Sequence, residues 1–284
     1  MVRSRRPRGR VLWPTLAVAV GLLVSACHDD GARGRPGGTA PPYAQSPEAL
    51  PTLLAAPPVP TPRLPLTTQD RPVRGGVPAI RRVPTSDRVV FLTIDDGQAK
   101  DPGFRDLMNT LRIPFSMFLT DSLAGDGYPY FAGLEALGNK VQNHTLTHRR
   151  LTKLPATRQR AEICGQQERL RTVFGHAPTL FRPPGGNYNA TTQRAAADCG
   201  LRAVVLWTAS MQPGGLRSNA PQDALRSGDI ILFHFFPAEK LHRRTLRQVT
   251  IDLARTVTAQ GFALARIEDY LDAAQASSTP VPER

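Results

Sequence analysis

A chain of 284 residues, 40% of them hydrophobic, holds enough apolar material for one sizeable core, and 36 Lys and Arg against 23 Asp and Glu leave a formal net charge of +13. Three cysteines exclude a small scaffold held together mainly by disulfides. An aromatic content of 6% and the lack of a recognition motif argue against nucleic acid as a partner in spite of the charge.

The chain opens with five arginines and no acid in residues 1–10, followed by an apolar run over 11–24. That run is shorter than the ~20 residues needed to span a bilayer, so residues 1–26 read as an export signal. Its end, Val24-Ser25-Ala26-Cys27, resembles the bacterial lipobox, in which the Cys is lipidated and becomes the mature N-terminus. Cys27 is therefore read as a membrane anchor, which would place the protein on the outer face of the cytoplasmic membrane, facing the cell wall. Ser4-Arg5-Arg6 matches a twin-arginine signal only loosely and ranks below general export. Loss of the five signal arginines lowers the charge from +13 to +8, which still suits an anionic envelope. Residues 27–87 are rich in Pro, Gly, Ala and Thr with little periodicity and read as a disordered, semi-extended spacer.

From residue 88 to 272 strand-like and helix-like segments alternate. Strands are expected over 89–93, 115–119, 140–143, 180–182, 203–207, 230–233 and 262–265, with helices between them, notably 156–174 and 191–199. Such alternation implies parallel strands joined by crossover helices, and about seven units in this length imply a small or incomplete (β/α) barrel. Residues 273–284 read as a disordered tail, and a monomer is expected.

Three segments carry the chemistry: Thr93-Ile94-Asp95-Asp96-Gly97, His144-Thr145-Leu146-Thr147-His148 and Arg182-Pro183-Pro184-Gly185-Gly186. An Asp and two His form a three-ligand set for a zinc-like divalent cation with positions left open for water and substrate. Asp95 and Asp96 are successive strand residues and face one site only if the strand ends there, which Gly97 suits. His144 and His148 share a face if the chain turns helical after Asn143. Arg182 is a natural partner for Asp95, keeping a carboxylate base ionised and oriented, while Gly185 and Gly186 either form a plain turn or bring backbone N–H groups close to a ligand. His234, in an apolar run, reads as a satisfied core histidine or a general acid, and Trp207 as core or as the wall of a hydrophobic pocket. His176 and His242 read as surface residues.

These motifs, with Leu206-Trp207-Thr208 and Leu232-Phe233-His234, resemble the signature of the polysaccharide deacetylase family, the NodB-homology or carbohydrate esterase 4 family, over residues 88–271. The resemblance implies Asp95 as catalytic base, Asp96, His144 and His148 as metal ligands, Arg182 as the partner of the base, Gly185 as an oxyanion donor, Trp207 in the substrate pocket and His234 as catalytic acid. It also implies a divalent metal, most simply Zn2+, and an acetylated cell-wall glycan such as peptidoglycan as substrate. Two positions depart from the family pattern: Gly185 lacks the usual aromatic ring, and Thr208 stands where a carboxylate usually orients the acid His. An acetyl esterase, or a non-catalytic glycan-binding lipoprotein favoured by Thr208, are the alternatives. Cys164 and Cys199, left over in an exported chain, either pair across two helices or remain two buried thiols.

Overall fold

The computed structural model describes Pro58 and residues 73–276. Cys27, the signal segment and residues 277–284 lie outside the described residues. Among those described, no helix is long and apolar enough to cross a membrane.

Ten strands form one curled sheet: β1 Ala79–Ile80, β2 Val89–Asp96, β3 Ser116–Leu119, β4 Lys140–Asn143, β5 Leu180–Phe181, β6 Ala203–Val205, β7 Ala209–Gln212, β8 Gly215–Ser218, β9 Ile230–His234 and β10 Ala263–Ala265. Their order is β1-β6-β5-β4-β3-β2-β9-β7-β8, with β10 beside the first half of β2. All pairs are parallel except the β7–β8 hairpin. This is the expected incomplete (β/α) barrel. The two sides of the sheet meet through the chain itself: β6 pairs with β1 and β5, and three residues later its continuation β7 pairs with β9.

β2 shows how the sequence builds the layers. All eight of its residues are buried, as a strand covered on both faces requires. Val90, Leu92 and Ile94 pack outward against Phe104, Met108, Val249 and Leu253 on the covering helices α1 Pro102–Leu111 and α6 Leu246–Ala259. Val89 and Phe91 point the other way, into a second cluster with Phe118, Val205, Ile230 and Tyr270. The alternation puts Asp95 on the inward side with Val89 and Phe91. α1 is started by Asp101, whose side chain accepts from the Gly103 and Phe104 N–H groups, with Pro102 in the first turn.

Three boundaries differ from expectation. The spacer does not run to Asp87: β1 joins the sheet edge beside β6, and Arg82 bridges to Asp229, because Val77, Ala79, Ile80 and Val83 give this stretch enough apolar surface to bury. The tail does not begin at 273, since helix α7 Ile267–Ala276 continues past it. The β7–β8 hairpin lies beyond the strand expected over 203–207, and Pro213-Gly214 carries its turn.

Candidate active site

The ends of four strands converge. Asp95 and Asp96 end β2, His144 follows β4, Arg182 follows β5 and His234 ends β9, with Asp95 and His234 directly opposite each other in the β2–β9 pairing. This is the C-terminal edge of the strands, where (β/α) barrels place their chemistry.

Asp96 solves the problem of two adjacent carboxylates. Strand alternation would send its side chain outward toward the helices, but its φ of 79° is left-handed, as is that of Gly97 at 93°. The strand breaks at Asp96, and its carboxylate turns to the same side as that of Asp95. Asp96 Oδ1 then lies 3.2 Å from His148 Nε2 and 3.6 Å from His144 Nε2. The buried Oδ1 accepts no hydrogen bond.

The two histidines are not on a helix, contrary to expectation. Residues 144–148 form an irregular loop in which Thr145 (φ 74°) and His148 (φ 56°) are left-handed, conformations a helix does not contain. Thr145 Oγ1 accepts from the His148 N–H at 3.2 Å, closing a turn that brings the rings to a centroid separation of 5.0 Å. The loop is held from below. Asn143 Oδ1 accepts from the Thr145 N–H, its amide donates to Ile163 O and Gln167 Oε1, and Thr120 Oγ1 donates to the His144 carbonyl. Glu162 accepts from both the N–H and the hydroxyl of Thr147. No sequence signal singled out Thr120, Gln167 or Glu162; Thr120 acts once β3 pairs with β4, and Glu162 and Gln167 once helix α4 Ala156–Phe174 lies against β4.

His144 Nδ1 is 2.6 Å from the Arg182 carbonyl. A carbonyl only accepts, so Nδ1 carries the hydrogen and Nε2 turns its lone pair into the space beside Asp96. Burial pulls the His144 pKa down to about 3, which keeps the ring neutral. Asp96, His144 and His148 each offer one ligand atom, all within 4.8 Å of one another. An unpartnered buried carboxylate oxygen beside two imidazole nitrogens is a donor set that a divalent cation satisfies.

Asp95 and Arg182 form a buried ion pair, Nη1 to Oδ1, at 2.6 Å. The rest of the guanidinium is also satisfied: Nε donates to Val205 O and Nη2 to Leu206 O, and the group lies 4.3 Å from the Phe118 ring centre and 5.7 Å from that of Trp207. Burial raises the Asp95 pKa above the usual carboxylate value, with Arg182 opposing it. Asp96 moves the other way, because the nearby His148 and His144 outweigh its burial.

Comparison with known proteins agrees with this geometry. A polysaccharide deacetylase family model matches residues 82–204, a span that holds Asp95, Asp96, His144, His148 and Arg182. An uncharacterised protein of Streptomyces coelicolor is 42% identical, covering 84% of this chain and 98% of its own. The chain belongs to the polysaccharide deacetylase family. A peptidoglycan N-acetylglucosamine deacetylase of Bacillus cereus is 26% identical over 54% of this chain and 75% of its own. The crystal structure of a CE4-family pseudoenzyme from Bacillus anthracis shares the fold at 18% identity and a TM-score of 0.57, over 69% of each chain.

Two positions where the chain departs from the family pattern now have local explanations. Thr208 does not face His234: its N–H donates to Ile230 O, four residues before His234, and its hydroxyl donates to Asp229 Oδ1 at 2.6 Å. Thr208 therefore offers His234 no orienting carboxylate, as expected, and is engaged with Asp229 instead. Gly185 (φ 63°) and Gly186 (φ 68°) are both left-handed, and a Cβ at Gly186 would meet Trp207 at 3.0 Å. Trp207 thus stands between Arg182 and the Gly turn, half-buried. The Gly186 N–H donates to Pro183 O, whereas the Gly185 N–H has no acceptor among the described residues. His176 pairs with Glu135 in an exposed contact, and His242 caps a short turn; neither joins the site. Cys164 and Cys199 form a disulfide between α4 and the end of α5 Ala190–Asp198, the pairing left open above.

Proposed function

We propose that the protein removes acetyl groups from N-acetylated sugars, N-acetylglucosamine units above all, of a cell-envelope glycan such as peptidoglycan, using a divalent cation, Zn2+ by its donor set. The observation that carries this is the convergence of Asp96, His144 and His148 beside a separately held carboxylate, Asp95. Two imidazoles and one carboxylate suit Zn2+ in particular and leave room for water and substrate. When bound, the cation would supply water activation and polarise the scissile carbonyl.

The protein's own groups do the rest. Asp95 Oδ1 is committed to Arg182, so Oδ2, 3.6 Å from His144 Nε2, is free to take the proton of the attacking water. The Gly185 N–H donates to the oxygen that gains charge at the tetrahedral stage. His234, across from Asp95 on β9, gives its proton to the nitrogen as the C–N bond breaks and the amine leaves. Trp207 walls the pocket that takes the methyl group. Lipidation at Cys27 would tether the domain through the spacer to the outer face of the cytoplasmic membrane, facing the wall glycan.

Similarity to the Bacillus cereus peptidoglycan N-acetylglucosamine deacetylase supports the choice of glycan. Acetate release from N-acetylglucosamine oligomers and from peptidoglycan tests it, using purified protein before and after chelation. Release that stops on chelation and returns with Zn2+ is expected; no acetate from either glycan with metal restored would overturn the reading.

A further inference from the structure

A general acid must be held in place, and no hydrogen bond to the His234 ring is found among the described residues. Burial lowers the pKa of that ring, and Thr208, the expected site of an orienting group, is bonded to Asp229 instead. What touches the ring is Phe236. The Phe236 N–H donates to the His234 carbonyl at 2.8 Å, folding three residues into a tight turn. That turn stacks the two rings face to face, with centroids 4.4 Å apart and planes 6° apart. Phe236 is itself held: Lys240 Nζ stands 4.9 Å from its ring centre and donates to Gln98 Oε1 at 2.9 Å, in the loop that follows Asp96 and Gly97. The Ala99 N–H donates to Phe235 O, tying the same two loops through the backbone.

We propose that Phe236 is the positioning residue for His234, its stacked ring fixing the orientation of the imidazole, with Lys240 and Gln98 bracing the stack. This rests on the reading of His234 as the acid. The role is selective by its chemistry. An amide needs a proton delivered to its nitrogen as the C–N bond breaks, whereas a 4-nitrophenyl ester leaves as a stable aryloxide and needs none.

The test compares metal-loaded protein on N-acetylglucosamine oligomers and on 4-nitrophenyl acetate. Phe236→Leu keeps the bulk but removes the ring face; it should lower kcat on the oligomers about 10- to 100-fold, with KM changed less than about threefold and ester turnover within about twofold. Phe236→Tyr should restore the amide rate, and Lys240→Ala should show a smaller loss of the same selectivity. A crystal structure of Phe236→Leu should show the His234 ring turned or in several orientations. Equal loss on both substrates, a rise in KM with kcat intact, or an unmoved His234 ring in the variant would overturn the proposal. His234→Asn separates the two ideas: if it too leaves the amide rate intact, the acid assignment fails, whereas amide-selective loss in His234→Asn alone leaves that assignment standing and removes Phe236.

Discussion

At Thr208 the hydroxyl serves Asp229, a buried carboxylate that also takes the Arg82 guanidinium and the Arg226 N–H. Those contacts join the segment after β1, the β6–β7 link and the start of β9 at one point. Thr208→Asp would place a second carboxylate against the first and remove a donor, so we predict a loss of about 2–4 kcal/mol in stability, read as a lowered melting temperature. The pH profile of kcat/KM should not extend to higher pH, because the new acid lies four residues along β9 from His234. Extension of activity at unchanged melting temperature would show that the carboxylate reaches His234 after all. Glu268 offers a second test at this scale. Buried on α7, it accepts from Ser116 Oγ at 2.7 Å and Gln142 Nε2 at 2.8 Å, and burial pushes its pKa up to about 7. A carboxyl whose folded pKa is raised contributes stability that is fully present below its unfolded value of about 4.5 and is lost as pH rises through about 7. We predict that the stability difference between the wild type and Glu268→Gln changes by about 3 kcal/mol between pH 4 and pH 8, in the direction of a wild type relatively less stable at the higher pH. A difference independent of pH in denaturant titrations would contradict this.

Helices α4 and α5 flank the strand that precedes Arg182 in the chain, and the Cys164–Cys199 disulfide joins them across 35 residues of sequence. Closing a loop of that length removes about 4 kcal/mol of freedom from the unfolded chain in the entropic account. The double variant Cys164→Ser, Cys199→Ser should therefore melt at a lower temperature yet keep its metal, since no ligand lies on either helix; unchanged melting would mean the bond adds nothing to the fold. The strands were readable in the sequence because a sheet covered on both sides leaves unbroken apolar runs, as in residues 89–92 and 230–233. Helix 156–174 was readable as well, ending as it does at the left-handed Gly175. The residues that converge at the candidate site were legible because they sit in short strand-end motifs. The conformation of the site was not. The spacing of His144 and His148 fits a helix and an irregular loop equally well, and only tertiary hydrogen bonds from Asn143, Thr120 and Glu162 select the loop. The two-residue edge strand β1 was hidden inside a proline-rich stretch, where composition outweighed four buried apolar residues.

At the scale of the whole molecule, the strand ends gather all six polar site residues at one edge of the sheet, and the spacer and proposed lipid anchor precede it in the chain. Cys27→Ser should leave the domain folded and active but move it from the membrane fraction to the medium, or leave the signal segment attached, since one lipid would provide the attachment. Continued lipid labelling of the variant would refute the anchor. The account as a whole turns on a division of labour between adjacent residues, Asp95 as base and Asp96 as ligand. Metal content by elemental analysis, measured beside acetate release for Asp95→Asn, Asp96→Ala and His144→Ala, tests it most directly. Asp95→Asn, which still offers Arg182 an acceptor, should keep its metal and lose activity by at least about 100-fold, while the other two lose metal and activity together. Full metal content in Asp96→Ala and His144→Ala, or undiminished acetate release from Asp95→Asn, would contradict it.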